Sequence, residues 1–369
     1  VAPFHPPAMA VGLNPDAGSP PLPLPCRDGI GPEIMSATLD VLDALRPALS
    51  RPVEIIESDI RFSSLKANGT TITDAVIDTA RAVDGVILGP VSHNDYPPLK
   101  EGGLNPSGVL RKSLQLHANI RPARVWPGCT PAIRGEIDLI VARENLEGFY
   151  ADRNMHEGSG EFMPTPGVGL AMRRITTEAS LNIARSAFDW AERRPARKVA
   201  AIHKANVMRL TDGIFLDAVR SVAARHPAIA YEEMLVDAAA AHLVREPERF
   251  DVIVTTNMFG DILSDLASEL TGSLGLAGSL NAGLTHCAAQ AQHGSAPDLA
   301  GQNKANPASL IVSLAMMLDH LGEGDAARRI EAGLGVMLQH PETRTADLGG
   351  TLGCRDFARQ LSDHLGKGE

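Results

Sequence analysis

Phe250-Asp-Val-Ile-Val-Thr-Thr-Asn-Met-Phe-Gly260-Asp-Ile-Leu-Ser-Asp-Leu-Ala-Ser-Glu-Leu270 decides the fold. Its first part, Asp251 to Thr256, is a short apolar, β-branched run, the pattern of a buried strand. Asn257-Met-Phe-Gly260 reads as a tight turn that breaks it. From Asp261 the apolar residues Ile262, Leu263, Leu266 and Leu270 fall at helical spacing. Asp261, Asp265 and Glu269 lie four residues apart and share one helix face. Like charges so placed repel by about 0.2–0.5 kcal/mol per pair. A hard divalent cation would offset that repulsion, because Mg²⁺ and Mn²⁺ take oxygen ligands. A solvated acidic face beside the positive end of the helix is the plainer explanation.

Working outward, the 369 residues suffice for two domains or one large α/β unit. The hydrophobic fraction of 44% is that of a globular chain, and the formal net charge of -10 supplies no global basic field for nucleic acid. The four cysteines, Cys26, Cys129, Cys287 and Cys354, show neither zinc spacing nor a disulfide framework, which fits a reducing cytoplasm. No apolar run approaches the roughly 18 residues of a membrane span, and no secretory signal is read at the start.

Val1 to Pro25 is rich in Pro, Ala and Gly and is expected to be disordered or loosely extended. Asp28-Gly-Ile-Gly-Pro-Glu33 leads into a helix to about Leu45, and its glycines let backbone N–H groups approach an anion. The GxGxxG spacing is absent, so a Rossmann fingerprint is not supported. Strands are expected at Val53–Glu57 and Gly85–Gly89, at Leu139–Ala142, and at Lys198–His203. Helices are expected over Thr73–Arg81, Val109–Leu116, Thr176–Ala191, Thr211–Ala224 and Pro307–Leu321. Ala151 to Val168 reads as a polar, Gly-rich excursion. The alternation is that of an α/β protein.

Three constellations carry chemistry. Arg111, Arg121 and Arg143 sit at element boundaries, and arginine grips carboxylates in a bidentate fork at any working pH. Beside a metal they imply a substrate with at least two carboxylates, although any one alone reads as a surface arginine. Tyr150 and Lys204 stand out because both residue types are scarce, and a lysine near other cations has a lowered pKa and can act as a base. Asp237 either caps the helix that follows it or completes a metal site with Asp261 and Asp265.

Taken together, these stretches resemble the β-decarboxylating dehydrogenase family of isocitrate, homoisocitrate, 3-isopropylmalate and tartrate/D-malate dehydrogenases. The resemblance rests on DGIGPE (28–33), LRKSLQLHANIRP (110–122), ARENLEGFY (142–150) and HKANVM (203–208), then on VTTNMFGDILSDLASEL (254–270), HGSAPDLAG (293–301) and Asn306-Pro307. It covers nearly all of the chain from Asp28 to about Leu321, and so many long motifs in order are far more specific than any one.

The resemblance implies an α/β, two-domain isocitrate/isopropylmalate dehydrogenase-like fold with a non-Rossmann nucleotide site and a cleft between the domains. Residues 26–116 and 273–369 would form the large NAD-binding domain and 117–272 the small domain with the dimer interface, after a Pro-rich tail over 1–25. It implies that Arg111, Arg121 and Arg143 hold the substrate carboxylates, and that Asp237, Asp261 and Asp265 surround Mg²⁺ or Mn²⁺. Lys204 and Asp237 would reach in from the neighbouring chain of a homodimer with shared active sites. Lys204 would take the hydroxyl proton, hydride would pass to NAD, and Tyr150 would protonate C3 after CO₂ departs.

In the same way His293, Gly294, Ser295, Ala296 and Asp298 match the adenosine loop, with Asn306 on the adenine. Asp298 accepts from a ribose hydroxyl and repels a 2′-phosphate, which favours NAD. Specificity lies on the helix that ends at Arg111. Members acting on 3-isopropylmalate place Leu four residues before that arginine, where this chain has Ser107, and Asn105-Pro-Ser107 resembles the isocitrate pattern. The expected substrate is a hydroxy di- or tricarboxylate, isocitrate first, with homoisocitrate, 3-isopropylmalate and tartrate/D-malate as alternatives. No nucleic acid or membrane partner is implied. A non-catalytic regulatory subunit would have lost Tyr150, Lys204 or an Asp, and all remain. An anion-binding protein without redox chemistry would leave the 293–301 loop idle.

Two departures stand out. Pro21-Leu-Pro-Leu-Pro25-Cys-Arg27 occupies the place of the family's first apolar strand, where proline cannot join a ladder. Cys287 to Gln292 lacks the usual Phe-Glu-Pro-Val.

Overall fold

The structure, a computed structural model, describes residues 11–13, 29–150, 154–155 and 159–366. The strands are β1 (Val11–Leu13), β2 (Gly85–Leu88), β3 (Ala118–Arg124), β4 (Asp138–Glu144), β5 (Glu161–Thr165), β6 (Val168–Ala171), β7 (Lys198–His203), β8 (Ala230–Leu235), β9 (Val252–Thr255), β10 (Leu280–Ala282) and β11 (Cys287–Gln290). The α-helices are α1 (Gly31–Leu45), α2 (Arg61–Asn68), α3 (Asp74–Arg81), α4 (Pro106–Ser113), α5 (Thr177–Arg193), α6 (Arg209–Ala223), α7 (Val236–Arg245), α8 (Asn257–Leu270), α9 (Ala308–His320), α10 (Gly324–Gln339) and α11 (Cys354–Gly366). This is the expected α/β class, in two compact units.

His117–Val125 and Thr130–Gly272 make one unit. Its strands run in the order β3-β4-β9-β7-β8. β3 and β4 are antiparallel, and the other neighbours are parallel. Continuous apolar runs in β7 and β9 are what a sheet covered on both faces requires. Leu139, Val141, Ala200, Ile202, Ile253, Leu263 and Ala267 form the centre of its core. β5 and β6 pair as a separate antiparallel hairpin.

The remaining described residues form the other unit, with strand order β1-β2-β11-β10. Ile60, Ile72, Val76, Val86, Leu88, Leu110 and Leu116 pack in its core. Helix starts follow their caps: Val76 N–H donates to Thr73 Oγ1 at α3, and Asn105 Oδ1 accepts from Ser107 N–H and Gly108 N–H at α4.

Several readings of the sequence need correction. α8 starts at Asn257, so Asn257–Gly260 is its first turn and not a separate loop. Gly260 is there for contact: a Cβ at this position would lie 2.6 Å from Arg143 Cβ. α4 starts at Pro106, three residues earlier than Val109, because Asn105 caps it and proline suits a first turn. The polar excursion holds the β5–β6 hairpin. Val53–Glu57 carries only a single bridge at Ile55, and the Arg46 guanidinium takes the Val53 carbonyl.

Val11–Leu13, placed in the disordered tail by its composition, pairs in parallel with Val86–Leu88. The outer edge of β2 presents backbone groups that need partners, and a Val-Gly-Leu triplet supplies them. The proline-bearing run 21–27, Asp28, and residues 151–153 and 156–158 of the excursion lie outside the described residues.

Candidate active site

In the unit built on β3, β4, β7, β8 and β9, the ladders dictate which side chains meet. Asn119 stands opposite Arg143 across β3 and β4, and Arg121 follows Asn119 by two. All three therefore share one face. β9 runs parallel beside β4 and feeds directly into α8, which carries Asp261 and Asp265 one turn apart.

The result is a dense ionic cluster. Arg121 Nη1 donates to Ser264 Oγ at 2.7 Å and lies 3.3 Å from Asp261 and 3.1 Å from Asp265, while its Nε donates to Asn119. Arg143 pairs with Asp261 and is held by Asn257 Oδ1, which accepts from Nε at 2.9 Å and Nη2 at 2.7 Å. Tyr150 bridges the two charges, accepting from Arg143 Nη2 at 2.7 Å and donating to Asp261 Oδ2 at 2.7 Å. The repulsion among the α8 carboxylates is thus offset by two arginines of the same chain. Both arginines are buried, whereas Asp265 is 55% exposed and keeps an open side. Burial first, and the neighbouring Arg143 second, pull the Arg121 guanidinium down to about 10.

Lys204 and Asp237 form a second group. β7 and β8 are parallel with His203 opposite Leu235, so the residues just beyond both strand ends come side by side. Lys204 Nζ donates to Asp237 Oδ1 at 2.5 Å, and that bond holds the Asp237 carboxyl below its ordinary range. Asp237 lies inside the first turn of α7 and is not its cap. Among the described residues no three His, Cys, Asp or Glu side chains are placed to hold a metal, so Asp237 does not join Asp261 and Asp265 within one chain. The donor chemistry of Asp261 and Asp265 nevertheless fits a hard cation: two carboxylates one turn apart, one of them largely open.

The other unit holds the remaining candidates. Ser107 Oγ and Arg111 Nη2, one turn apart on α4, both donate to Gln290 Oε1. Asn105 spends its carbonyl oxygen on the α4 cap. The glycine turn and the 293–301 loop meet directly. Gly29 has φ +70, and a Cβ there would lie 1.9 Å from the Ser295 carbonyl, which accepts from Ile30 N–H. Ser92 donates to Ser295 Oγ at 2.6 Å. His293 Nδ1 bonds the Gly294 carbonyl, and burial lowers the imidazole's affinity for a proton. Ala296 sits in left-handed backbone (φ +39), while Gly294 and Asp298 are exposed. Asn306 lies two residues before α9, accepts from Ala308 N–H and donates to Asp347 at 2.9 Å. Gly29 thus lets the two loops touch, and the exposed Asp298 carboxylate on the second loop is an acceptor suited to a ribose hydroxyl.

The sequence reading missed Asn119, Asn257, Ser264, Asp212 and Gln290. Asp212 is fully buried, pairs with Arg173 and accepts from the Lys204 backbone N–H, which fixes the turn carrying that lysine. Small polar residues leave no periodic signal. The nearest signs were their places next to the arginines in Ala118-Asn-Ile-Arg121 and at the ends of strands.

Mostly parallel sheets and an arginine–carboxylate cluster suit an enzyme acting on carboxylic acids, and the comparisons place the chain among the hydroxy-acid dehydrogenases. The sequence model of the isocitrate/isopropylmalate dehydrogenase family matches residues 22–361, and this chain belongs to that family. It is 39% identical over 339 residues to the isocitrate/homoisocitrate dehydrogenase of Thermus thermophilus, covering 92% of this chain and 96% of that one. It is 37% identical over 338 residues to the 3-isopropylmalate dehydrogenase of Methanothermobacter thermautotrophicus, with the same coverage. The crystal structure of isocitrate dehydrogenase from Methylococcus capsulatus superposes with a TM-score of 0.84 at 35% identity, covering 97% of this chain and 99% of that one.

Proposed function

We propose that this chain catalyses the NAD-dependent oxidative decarboxylation of an (R)-2-hydroxy acid bearing a β-carboxylate, with (R)-isocitrate as the first substrate and homoisocitrate, 3-isopropylmalate and tartrate/D-malate as the alternatives. The observation that carries the reading is the cluster of Arg121, Arg143, Tyr150 and Asp261, which joins two buried carboxylate-binding forks to a phenol. Asp261 and Asp265 would hold Mg²⁺ or Mn²⁺, and the Gly29 turn with the 293–301 loop, Asp298 and Asn306 would hold NAD. When bound, the cation withdraws charge from the acid's oxygens and the nicotinamide accepts hydride.

The chain's own residues do the rest. Arg111, Arg121 and Arg143 orient the carboxylates. Lys204, kept in place by Asp212, takes the hydroxyl proton. Tyr150 returns a proton to C3. Its O–H now lies on Asp261, so the same group that binds the cation steers the acid.

A homodimer completes the reading, with Lys204 and Asp237 serving the partner's site. Two exposed apolar surfaces support it. Val207 (69% exposed) and Leu210 (84%) follow Lys204 directly. The β5–β6 hairpin exposes every residue, Phe162 and Met163 included, and an isolated two-stranded hairpin is marginal in water. No helix among the described residues is long and apolar enough to cross a membrane, and the cytoplasm is the proposed location.

The test is NADH formation with Mg²⁺ or Mn²⁺ across (R)-isocitrate, homoisocitrate, 3-isopropylmalate, D-malate and tartrate. One acid should give a clear rate that chelation abolishes. Absence of NAD binding, measured by calorimetry, would sink the reading.

A further inference from the structure

Ser107 has one hydroxyl proton to give. It gives it to Gln290 Oε1, 3.0 Å away. The same oxygen accepts from Arg111 Nη2 at 3.1 Å and lies 3.5 Å from Asn281 Nδ2. A guanidinium only donates, so the amide orientation is fixed by its neighbours: Oε1 faces Arg111 and Ser107, and Nε2 points away from these donors. Among the described residues Nε2 meets no acceptor, and the atom is reached by solvent, so it is not a buried orphan. The backbone behind it is pinned. Gln290 ends β11 opposite Leu88, its N–H donates to the Ser279 carbonyl, and its carbonyl accepts from Ser313 Oγ. A rigid strand end thus presents two unused N–H bonds, two covalent bonds from the oxygen that Arg111 touches.

We propose that Gln290 is a substrate-binding, specificity-determining residue, an inference that rests on the dehydrogenase reading above. Its Nε2 donates to an oxygen on the C3 substituent of an acid docked on Arg111, and so selects a carboxylate-bearing substituent over an alkyl one. Ser107, whose proton is spent, acts through Gln290 and not as a donor to the acid. An alkyl substituent would desolvate Nε2 without replacing its hydrogen bonds, which a site built to donate penalises strongly.

Two variants test this. Gln290→Glu keeps the acceptor for Ser107 and Arg111 but replaces the donor end with a charged oxygen. Gln290→Met removes both ends. Calorimetric titration with (R)-isocitrate and 3-isopropylmalate in Mg²⁺, alongside KM for each acid and for NAD, supplies the readout. Gln290→Glu should weaken isocitrate by about tenfold or more relative to 3-isopropylmalate, the size of a lost hydrogen bond to a charged acceptor. Gln290→Met should narrow the preference between the two acids. Equal weakening of both acids by Gln290→Glu would mean that the new charge only neutralises Arg111, and would overturn the proposal. Unchanged isocitrate affinity, or a change confined to the KM for NAD, would also overturn it. A wild-type chain that binds neither acid fails before any variant is compared, and that outcome belongs to the dehydrogenase reading.

Discussion

Arg143 makes three contacts that no other side chain could combine. Its fork places Nε and Nη2 on Asn257, Nη2 on Tyr150 and Nη1 on Asp261. Arg143→Lys keeps the charge but loses the planar fork, leaving Asn257 and Tyr150 without their donor. We expect kcat/KM to fall by about a hundredfold, with Tyr150 no longer aligned. The next residue is a titration element. Glu144 is buried, and desolvation, with Glu147 adding to it, pushes its carboxyl up to about 7, although Leu146 N–H and Glu147 N–H favour the anion. Because the folded value lies above the unfolded one, the stabilisation is fully present below about pH 4.5 and is lost as pH rises through 7. Its size is roughly 3 kcal/mol. Glu144→Gln should therefore flatten the fall in thermal midpoint between pH 5 and pH 7, which a melting series would show. The charged partners of this site were legible in the sequence because arginine and aspartate are conspicuous at element ends. Their amide partners were not, because Asn119, Asn257 and Gln290 carry neither charge nor periodicity.

α8 shows what pattern reading catches and what it misreads. Its helical spacing was plain from Asp261 onward, and so was the strand before it. Asn257–Gly260 reads as a turn because Asn and Gly are turn residues. The structure uses Gly260 to let the helix lie against the Arg143 stem, a contact between distant segments that a local pattern does not contain. Gly260→Ala tests the difference. In a turn without contacts it would be neutral or stabilising. Here we expect a loss of about 1–3 kcal/mol in denaturant unfolding and weaker acid binding as Arg143 is displaced. The β5–β6 hairpin and β1 escaped notice for a related reason. The hairpin's residues are all exposed, so no alternation marks it, and β1 is three residues long within a composition typical of disorder.

For the whole molecule, the fold class was readable from alternating strands and amphipathic helices, and the family from its motifs. The homodimer proposed above has no signature in periodicity, since Val207 and Leu210 resemble any helix start. Leu210→Arg should leave the chain folded, because 84% of that side chain already faces solvent. If the homodimer reading holds, sedimentation should move towards the monomer, and activity should fall with it because Lys204 and Asp237 no longer reach a partner. A fully active monomer would refute shared sites.

In α9, every residue from Ala308 to Leu318 is buried, so this helix shows water no face. Local fraying cannot expose its amides. Their exchange with deuterated solvent has to wait until the surrounding unit opens as a whole, so they should be among the slowest in the protein. Asn306, just before that helix, is tied to its first residue by accepting from Ala308 N–H. One end of the proposed nucleotide contact is thus anchored to the slowest-opening part of its unit, and a bound dinucleotide would register there as added protection against exchange rather than as a change of shape.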